Sequence, residues 1–276
     1  MSGRRVGVLG GGQLGRMMGA AAARLGVELI VLDPKGGDSP AGQVTRGART
    51  GSFAAAADVA ALAQACEVLT VEIEHVQVDA LRTLEAAGAV AVYPAADTIA
   101  VIQDKLAQKQ FLRQRGIAVA DFEPSETAAA VADSALGFPL MLKKRRLAYD
   151  GRGNAVVATR EDAAAAFEQL GGSELYAERW VPYTAELAVM VARSPSGAVA
   201  CYPVVETVQR DSICESVLAP ARCSAAARQR ALHLATASVE QLNGVGIFGV
   251  ELFLLPDDQV CCLFFSRKKK KRRRRR

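Results

Sequence analysis

The sequence predicts an α/β chain in two parts: a strand–helix alternation building a parallel sheet, then an α+β part with antiparallel strands. Three observations lead there. Short apolar runs alternate with helical stretches early in the chain, Pro94 breaks that rhythm, and several later apolar runs are joined by tight turns.

Val6-Gly7-Val8-Leu9 reads as a first strand, Gly10-Gly11-Gly12-Gln13-Leu14-Gly15 as the loop that opens a helix running through Arg24, and Glu28–Asp33 as a second strand. A helix ending over 62–66, a strand at Val68–Val71, a helix over 78–87 and a strand over 90–93 continue the alternation. Residues 97–116 predict one or two helices carrying Asp104, Lys105 and Lys109. A boundary near residue 100 follows, giving parts over 1–100 and 101–260. In the second part, 139–143 and 155–158 read as paired strands with a cationic glycine loop between them, and 162–170 as a covering helix. Strands over 175–178, 187–192 and 199–202 come next, the last two joined by the turn Ser194-Pro195-Ser196-Gly197. A long amphipathic helix over 225–242 and a strand over 249–255 complete this part. Residues 261–276 are set aside as a basic tail, expected to be disordered by like-charge repulsion.

Half of the 276 residues are apolar, enough for one large or two moderate cores. The formal charge of +5 comes from the last ten residues, all Lys or Arg; without them 24 basic side chains face 29 acidic ones. Nucleic-acid binding would rest on that tail, which has no interleaved aromatic for base stacking, so no nucleic-acid partner is expected. The six cysteines form no C-x-x-C pair, which points to a reduced compartment. With His75 and His233 alone, a multi-histidine metal site is excluded. No apolar run reaches the roughly 20 residues of a membrane span. A cytoplasmic location is expected, or a plastid one in a plant or alga.

The chemistry concentrates in a few places. Lys143, at the end of an apolar strand, runs into Lys144-Arg145-Arg146-Leu147-Ala148-Tyr149-Asp150-Gly151-Arg152-Gly153-Asn154, where glycine backbone and cations suit a phosphorylated ligand. A solvated basic hairpin is the plainer reading of that run taken alone. Gly10-x-Gly12-x-x-Gly15 with Asp33 at the next strand's end also fits a dinucleotide fingerprint, so an NAD-dependent oxidoreductase is one alternative. Glu72 and Glu74 alternate onto one face at a parallel strand's carboxyl end, where open α/β sheets place ligand groups. Glu178 and Glu186 offer acceptors for ribose hydroxyls. Glu251, flanked by apolar residues in a strand, needs a cation, either Mg²⁺ beside a nucleotide or a lysine.

Taken in order, Gly10 to Met17, Glu72-Ile73-Glu74-His75, Gln103-Asp104-Lys105, Leu147 to Asn154, Ala219-Pro220-Ala221-Arg222 and Gly246 to Glu251 resemble the 5-(carboxyamino)imidazole ribonucleotide synthase family of ATP-grasp enzymes. The pattern is most similar to the version forming the N-terminal part of fungal and plant-type phosphoribosylaminoimidazole carboxylases. The resemblance covers about residues 4 to 260. It implies a Rossmann-like pre-ATP-grasp domain followed by an ATP-grasp domain, and a ligase that uses ATP, Mg²⁺, bicarbonate and aminoimidazole ribonucleotide in purine biosynthesis. Members are often homodimeric. By the resemblance, Lys105 and Lys143 hold ATP phosphates and the loop with Ala148, Gly151, Gly153 and Asn154 closes over them. Glu178 and Val181 bracket adenine, Glu186 binds ribose, and Glu251 ligates Mg²⁺. Tyr149, Asp150, Arg152 and one of Glu72 and Glu74 would meet the imidazole ribonucleotide, with Gly12, Gln13 and Leu14 near its phosphate.

Two departures accompany it. Gln209 stands where close relatives usually have a histidine beside the nucleotide. Leu263 and Phe264 stand where the family has an Asn-Glu pair supplying the second metal carboxylate, and the family's C-terminal part is missing. A truncated, catalytically impaired or inactive form is therefore expected, and a non-catalytic nucleotide-binding fragment is the other alternative.

Overall fold

The computed structural model of the chain describes residues 4–147, 153–210 and 213–266, the last three by backbone alone. It divides into two compact units. One runs through Ala100 and takes in Asn243–Gly246; the other holds Val101–Leu242 and Ile247–Ser266.

In the first unit the elements are β1 (Arg5–Leu9), α1 (Gln13–Arg24), β2 (Glu28–Asp33), β3 (Gly47–Thr50), α2 (Ala56–Ala63), β4 (Val68–Val71), α3 (Val78–Ala86), β5 (Ala91–Val92) and most of α4 (Ala96–Gln103). The sheet is parallel with order β3-β2-β1-β4-β5. β1 and β2 are nearly unbroken apolar runs because both faces are covered, as parallel sheets require. α1 lies close to its neighbours through a stripe of small residues, Gly15, Gly19 and Ala22, at helical spacing. The chain order reverses between β1 and β4, and an open α/β sheet binds ligands at the carboxyl ends of strands at such a point.

The second unit continues with α5 (Lys105–Gln114), β6 (Phe122–Ser125), α6 (Ala128–Ala132), β7 (Leu140–Lys144), β8 (Asn154–Val157), α7 (Ala163–Gln169), β9 (Leu175–Arg179), β10 (Ala185–Arg193), β11 (Val199–Cys201), β12 (Val205–Arg210), β13 (Ile213–Leu218), α8 (Ala225–Glu240), β14 (Gly246–Leu254) and β15 (Val260–Ser266). Antiparallel pairing joins β6-β9-β7-β8 into one sheet. A second sheet has the order β13-β12-β10-β14-β15, with β11 on β10. Strict alternation on β14 buries Phe248, Val250, Leu252 and Leu254 in a core with α8, whose Ala227, Ala231, Ala235 and Val239 recur one turn apart. Glu251 falls on the other, half-buried face. The sequence reading placed it in a buried strand flanked by apolar residues; the two-residue period puts those residues on the opposite face.

The structure adds elements the sequence did not reveal. β3 is a half-exposed edge strand with glycine and arginine in it, β6 contains Pro124, α6 is a single short turn of helix, and the β12–β13 hairpin mixes polar and apolar residues, with its exposed positions mainly on β13. None carries a long apolar run. Residues 261–266 are not part of a tail: they form β15, whose Cys262 N–H donates to Ala118 O at 2.8 Å. The disorder expected for 267–276 lies outside the described residues. Among those described, no helix is long and apolar enough to cross a membrane.

Leu142, fully buried under α7 in the middle of β7, measures this packing. Leu142→Ala should lower unfolding stability by about 2–5 kcal/mol in urea titrations, while Met17→Ala on the exposed side of α1 should change it by less than about 0.5 kcal/mol.

Candidate active site

In the first unit the site is a loop built around a carboxylate. β1 ends at Leu9, and Gly10 turns the chain with φ +98, a value an L side chain rarely adopts. Gly11 N donates to Asp33 Oδ2 at 2.9 Å and Lys35 N to Asp33 Oδ1 at 2.9 Å, so Asp33 closes the loop from β2. Glu72, one residue past β4 and 4 % exposed, accepts from Gly12 N at 3.3 Å and from Leu14 N at 3.2 Å. α1 has no side-chain cap at Gly12, and the Glu72 carboxylate supplies acceptors for these N–H groups. A Cβ on Gly12 would lie 2.6 Å from Glu72 Oε1. Gln13 is exposed beside them, and Glu74 lies 3.5 Å from His75 Nε2. The predicted Gly12, Gln13, Leu14 and Glu72 do come together at the sheet's switch point. The sequence reading gave one of Glu72 and Glu74 to a ligand; the capping of the loop by Glu72 was missed, because strand alternation reports a face and not a partner.

In the second unit the site is a cluster of cations on two buried carboxylates. Glu178 sits near the end of β9, 3 % exposed. Lys143 Nζ on β7 donates to its Oε2 at 2.7 Å, Lys109 Nζ on α5 is paired with its Oε1 at 2.9 Å, and Tyr176 OH donates to Oε1 at 3.1 Å. Burial alone would raise the Glu178 carboxyl, but the charges of Lys143 and Lys109 outweigh it and bring the pKa down to about 2. The second carboxylate, Asp104, is 2 % exposed and caps α5, accepting from Leu106 N and Ala107 N. It also takes the Arg145 guanidinium on both oxygens and Arg146 Nε at 3.4 Å. Burial again opposes ionisation, and hydrogen bonds from Arg145 and Ala107 N–H pull the pKa below the usual range. Lys105 N donates to Arg145 O at 2.9 Å, which fastens the first turn of α5 to the end of β7. Four cations thus share two carboxylates, and the excess positive charge suits a ligand carrying several negative ones.

The remaining predicted residues that are described lie on or between β7, β8, β9, β10, β12 and β14. β7 and β8 pair Lys143 with Asn154, and Gly153 O accepts from Lys144 N. Ala148, Tyr149, Asp150, Gly151 and Arg152 lie outside the described residues. The segment from β9 to β10 carries the chain from the four-stranded sheet to the larger one and holds Val181, whose carbonyl accepts from Tyr183 N. Tyr183 stacks on Phe253 at 4.2 Å; burial raises its hydroxyl's pKa, and a hydrogen bond with Glu186 adds to this. Glu186 is paired with Thr207, and Gln209 Nε2 donates to Thr207 Oγ1 at 3.4 Å, so these three gather on one face of that sheet. Glu251 lies on the face of β14 turned away from the α8 core, and its cross-strand partner is Phe264. Sequence reasoning had named Lys109 without a role. Its signal was available: Leu106, Lys109 and Leu112 mark the buried stripe of α5, where a lysine requires an anion.

With that geometry in view, the comparisons are consistent across the chain. The model of the "Ribonucleotide synthetase preATP-grasp domain" matches residues 3–103 and that of the "ATP-grasp domain" residues 110–266. Phosphoribosylaminoimidazole carboxylase of Saccharomyces cerevisiae is 46 % identical over 262 residues, 92 % of this chain and 46 % of that protein. Carboxyaminoimidazole ribonucleotide synthase of Aspergillus clavatus, solved with ATP, is 44 % identical with a TM-score of 0.91, covering 98 % of this chain and 71 % of that one. The N5-carboxyaminoimidazole synthase of the same organism, solved with ADP and aminoimidazole ribonucleotide, is 43 % identical with a TM-score of 0.89 and covers 96 % and 70 %. The chain spans about half the length of the curated carboxylases it matches. These matches displace the NAD oxidoreductase alternative, and Asp33, engaged through both oxygens by the loop, agrees with its loss.

Two outcomes test the geometry. Gly12→Ala and Glu72→Ala remove the same contact, so each should cost about 1–3 kcal/mol in urea titrations and their double should cost little more than the larger single; full additivity would contradict the contact. A carboxyl with a folded pKa of about 2 and an ordinary value of 4.5 stabilises the fold above pH 4.5, and that contribution is lost as pH falls toward 2. Glu178→Gln should therefore flatten the stability profile between about pH 4.5 and 2, removing on the order of 3 kcal/mol of dependence.

Proposed function

Because the chain belongs to the ATP-grasp family, in the branch of the N5-carboxyaminoimidazole ribonucleotide synthases and phosphoribosylaminoimidazole carboxylases, we propose that it binds ATP and uses it to join bicarbonate to the amine of aminoimidazole ribonucleotide. The observation that carries this reading is the pair of lysines on the Glu178 carboxylate, Lys109 from α5 and Lys143 from the end of β7, the strand that leads into the glycine-rich loop. Phosphoryl transfer needs a polyphosphate held still with its charge neutralised, and fixed lysines on rigid strands and helices serve that end.

In this account the γ-phosphoryl group moves to a bicarbonate oxygen, giving carboxyphosphate and ADP. The exocyclic amine of the ribonucleotide then attacks the carboxyphosphate carbon. An N–C bond forms, the C–O bond to phosphate breaks, phosphate leaves and the amine releases a proton. Lys105 and Lys143 hold the phosphates, with Gly153 and Asn154 at the edge of the covering loop and Ala148 and Gly151 within it. Glu178 and Val181 border the adenine, Glu186 accepts from ribose hydroxyls, and Gln209 lies beside the nucleotide. The Gly12-Gln13-Leu14 loop, shaped by Glu72 and flanked by Glu74, receives the ribonucleotide phosphate. Tyr149, Asp150 and Arg152 meet the imidazole.

Mg²⁺ takes oxygen ligands and is usually held by one or two carboxylates plus substrate phosphates. The donor set fits a metal carried by the nucleotide, with Glu251 as its protein ligand. Among the described residues no group of three or more His, Cys, Asp or Glu is assembled to hold a metal without one. Its chemistry there would be to offset phosphate charge. The position paired with Glu251 is occupied by Phe264, a residue type without an oxygen ligand, so turnover is expected to be slow relative to nucleotide binding.

Bicarbonate labelled with ¹⁸O tests the reaction, since slow turnover does not blur a readout scored per phosphate released. Phosphate carrying one bicarbonate oxygen, formed only with aminoimidazole ribonucleotide present, is expected; unlabelled phosphate would contradict the carboxyphosphate route. Lys143→Ala should weaken ATP binding by about 10- to 100-fold in calorimetric titrations, the worth of a charge-assisted contact. Unchanged affinity would remove Lys143 from the phosphate site.

A further inference from the structure

Lys109 lies in the middle of α5 with 1 % of its surface exposed. A buried ammonium costs several kcal/mol of lost hydration, and a carboxylate is its usual compensation. Here that compensation is shared. Glu178 presents one oxygen to Lys109 at 2.9 Å and the other to Lys143 at 2.7 Å, and the Tyr176 hydroxyl adds a neutral donor to the first. A structural ion pair needs one lysine for one carboxylate. The second lysine leaves the cluster with one net positive charge.

Lys143 is the less enclosed of the two, with 11 % of its side chain exposed against 2 % for Lys109. Beyond Lys143, β7 ends at Lys144 and the chain continues into Arg145 and Arg146, which pair with Asp104. Lys109 faces inward, with the Phe122 ring 5.9 Å away. No solvent-facing ligand reaches Lys109 without passing the groups around it.

We propose that Lys109 is a positioning residue for the phosphate site: by engaging one oxygen of Glu178, it prevents that carboxylate from neutralising Lys143 and leaves Lys143 charged and aimed for a nucleoside triphosphate. The proposal rests on the reading of Lys143 as a phosphate contact and adds a residue outside that contact. Removing Lys109 turns the cluster into a closed one-to-one pair of Lys143 and Glu178. The ligand then loses a favourable charge that it never touches.

The test compares ATP with adenosine, which shares the base and ribose and lacks the phosphates. Lys109→Met, similar in length and suited to the buried site, should lower ATP affinity by about tenfold while leaving adenosine affinity within about twofold. Lys109→Arg keeps the charge and should keep the ATP-to-adenosine ratio. Equal losses for both ligands would mean that Lys109 only supports the fold, and no loss would mean that it does not bear on the site; either overturns the proposal. If Lys109→Met does not fold, Lys109→Met with Glu178→Gln removes the buried charges together and restores one net positive charge on Lys143. That double variant should then retain the ratio, and its loss would also overturn the proposal. Lys143→Ala separates the two levels. An ATP affinity unchanged by Lys143→Ala defeats the phosphate reading itself, whereas a normal loss there with no selective effect of Lys109→Met defeats only the positioning role.

Discussion

The Glu178 carboxylate, buried between two lysines, is the interaction on which the second unit's site depends. It joins three elements: β9, which carries it, β7 through Lys143, and α5 through Lys109. Asp104 plays a similar part at the N-cap of α5, tying the start of that helix to Arg145 beyond β7. Truncating one member of such a buried set is expensive, because the remaining charge is stranded in low dielectric. The same desolvation that makes the set costly also strengthens its field. Under the proposed function, stability and anion recognition would come from a single arrangement rather than from separate residues.

The first unit solves a related problem with the opposite sign. The start of α1 offers backbone N–H groups at the carboxyl end of β1, and Glu72, just past the adjacent β4, satisfies Gly12 and Leu14. Asp33 secures Gly11 from the other side. The glycines serve this close approach, since side chains at Gly10 or Gly12 would collide with the Glu72 carboxylate. The sequence pattern that resembles a dinucleotide fingerprint is here a loop pinned by two acids, which explains why the glycine spacing alone could not separate the two ligand classes.

Much of this was legible before any coordinates. The alternating runs of β1, β2 and β4, the hairpin of β7 and β8 around the cationic loop, and the α8 stripe all follow from period and turn chemistry. What escaped was short or irregular: β3 is a four-residue edge strand with little apolar surface, β13 is an edge strand without a continuous apolar run, and β15 lies between a turn and a charge run. For the candidate site, residue type and spacing singled out Lys143, Glu178, Glu72 and Glu186 but gave none of their partners. Partners depend on long-range pairing: Lys109 and Glu178 are far apart in sequence and meet only because α5 packs beside β9's sheet. The half-exposed setting of Glu251 was likewise hidden until the strand's two faces could be told apart.

The central claim is that this charge arrangement is built for the phosphates of a nucleotide. The most direct measurement is a calorimetric titration of the unaltered chain with ATP and with adenosine across a range of salt concentrations. The account predicts that ATP binds far more tightly than adenosine and that the difference shrinks as salt rises, because it is carried by charge. Equal affinity for the two ligands, independent of salt, would contradict it.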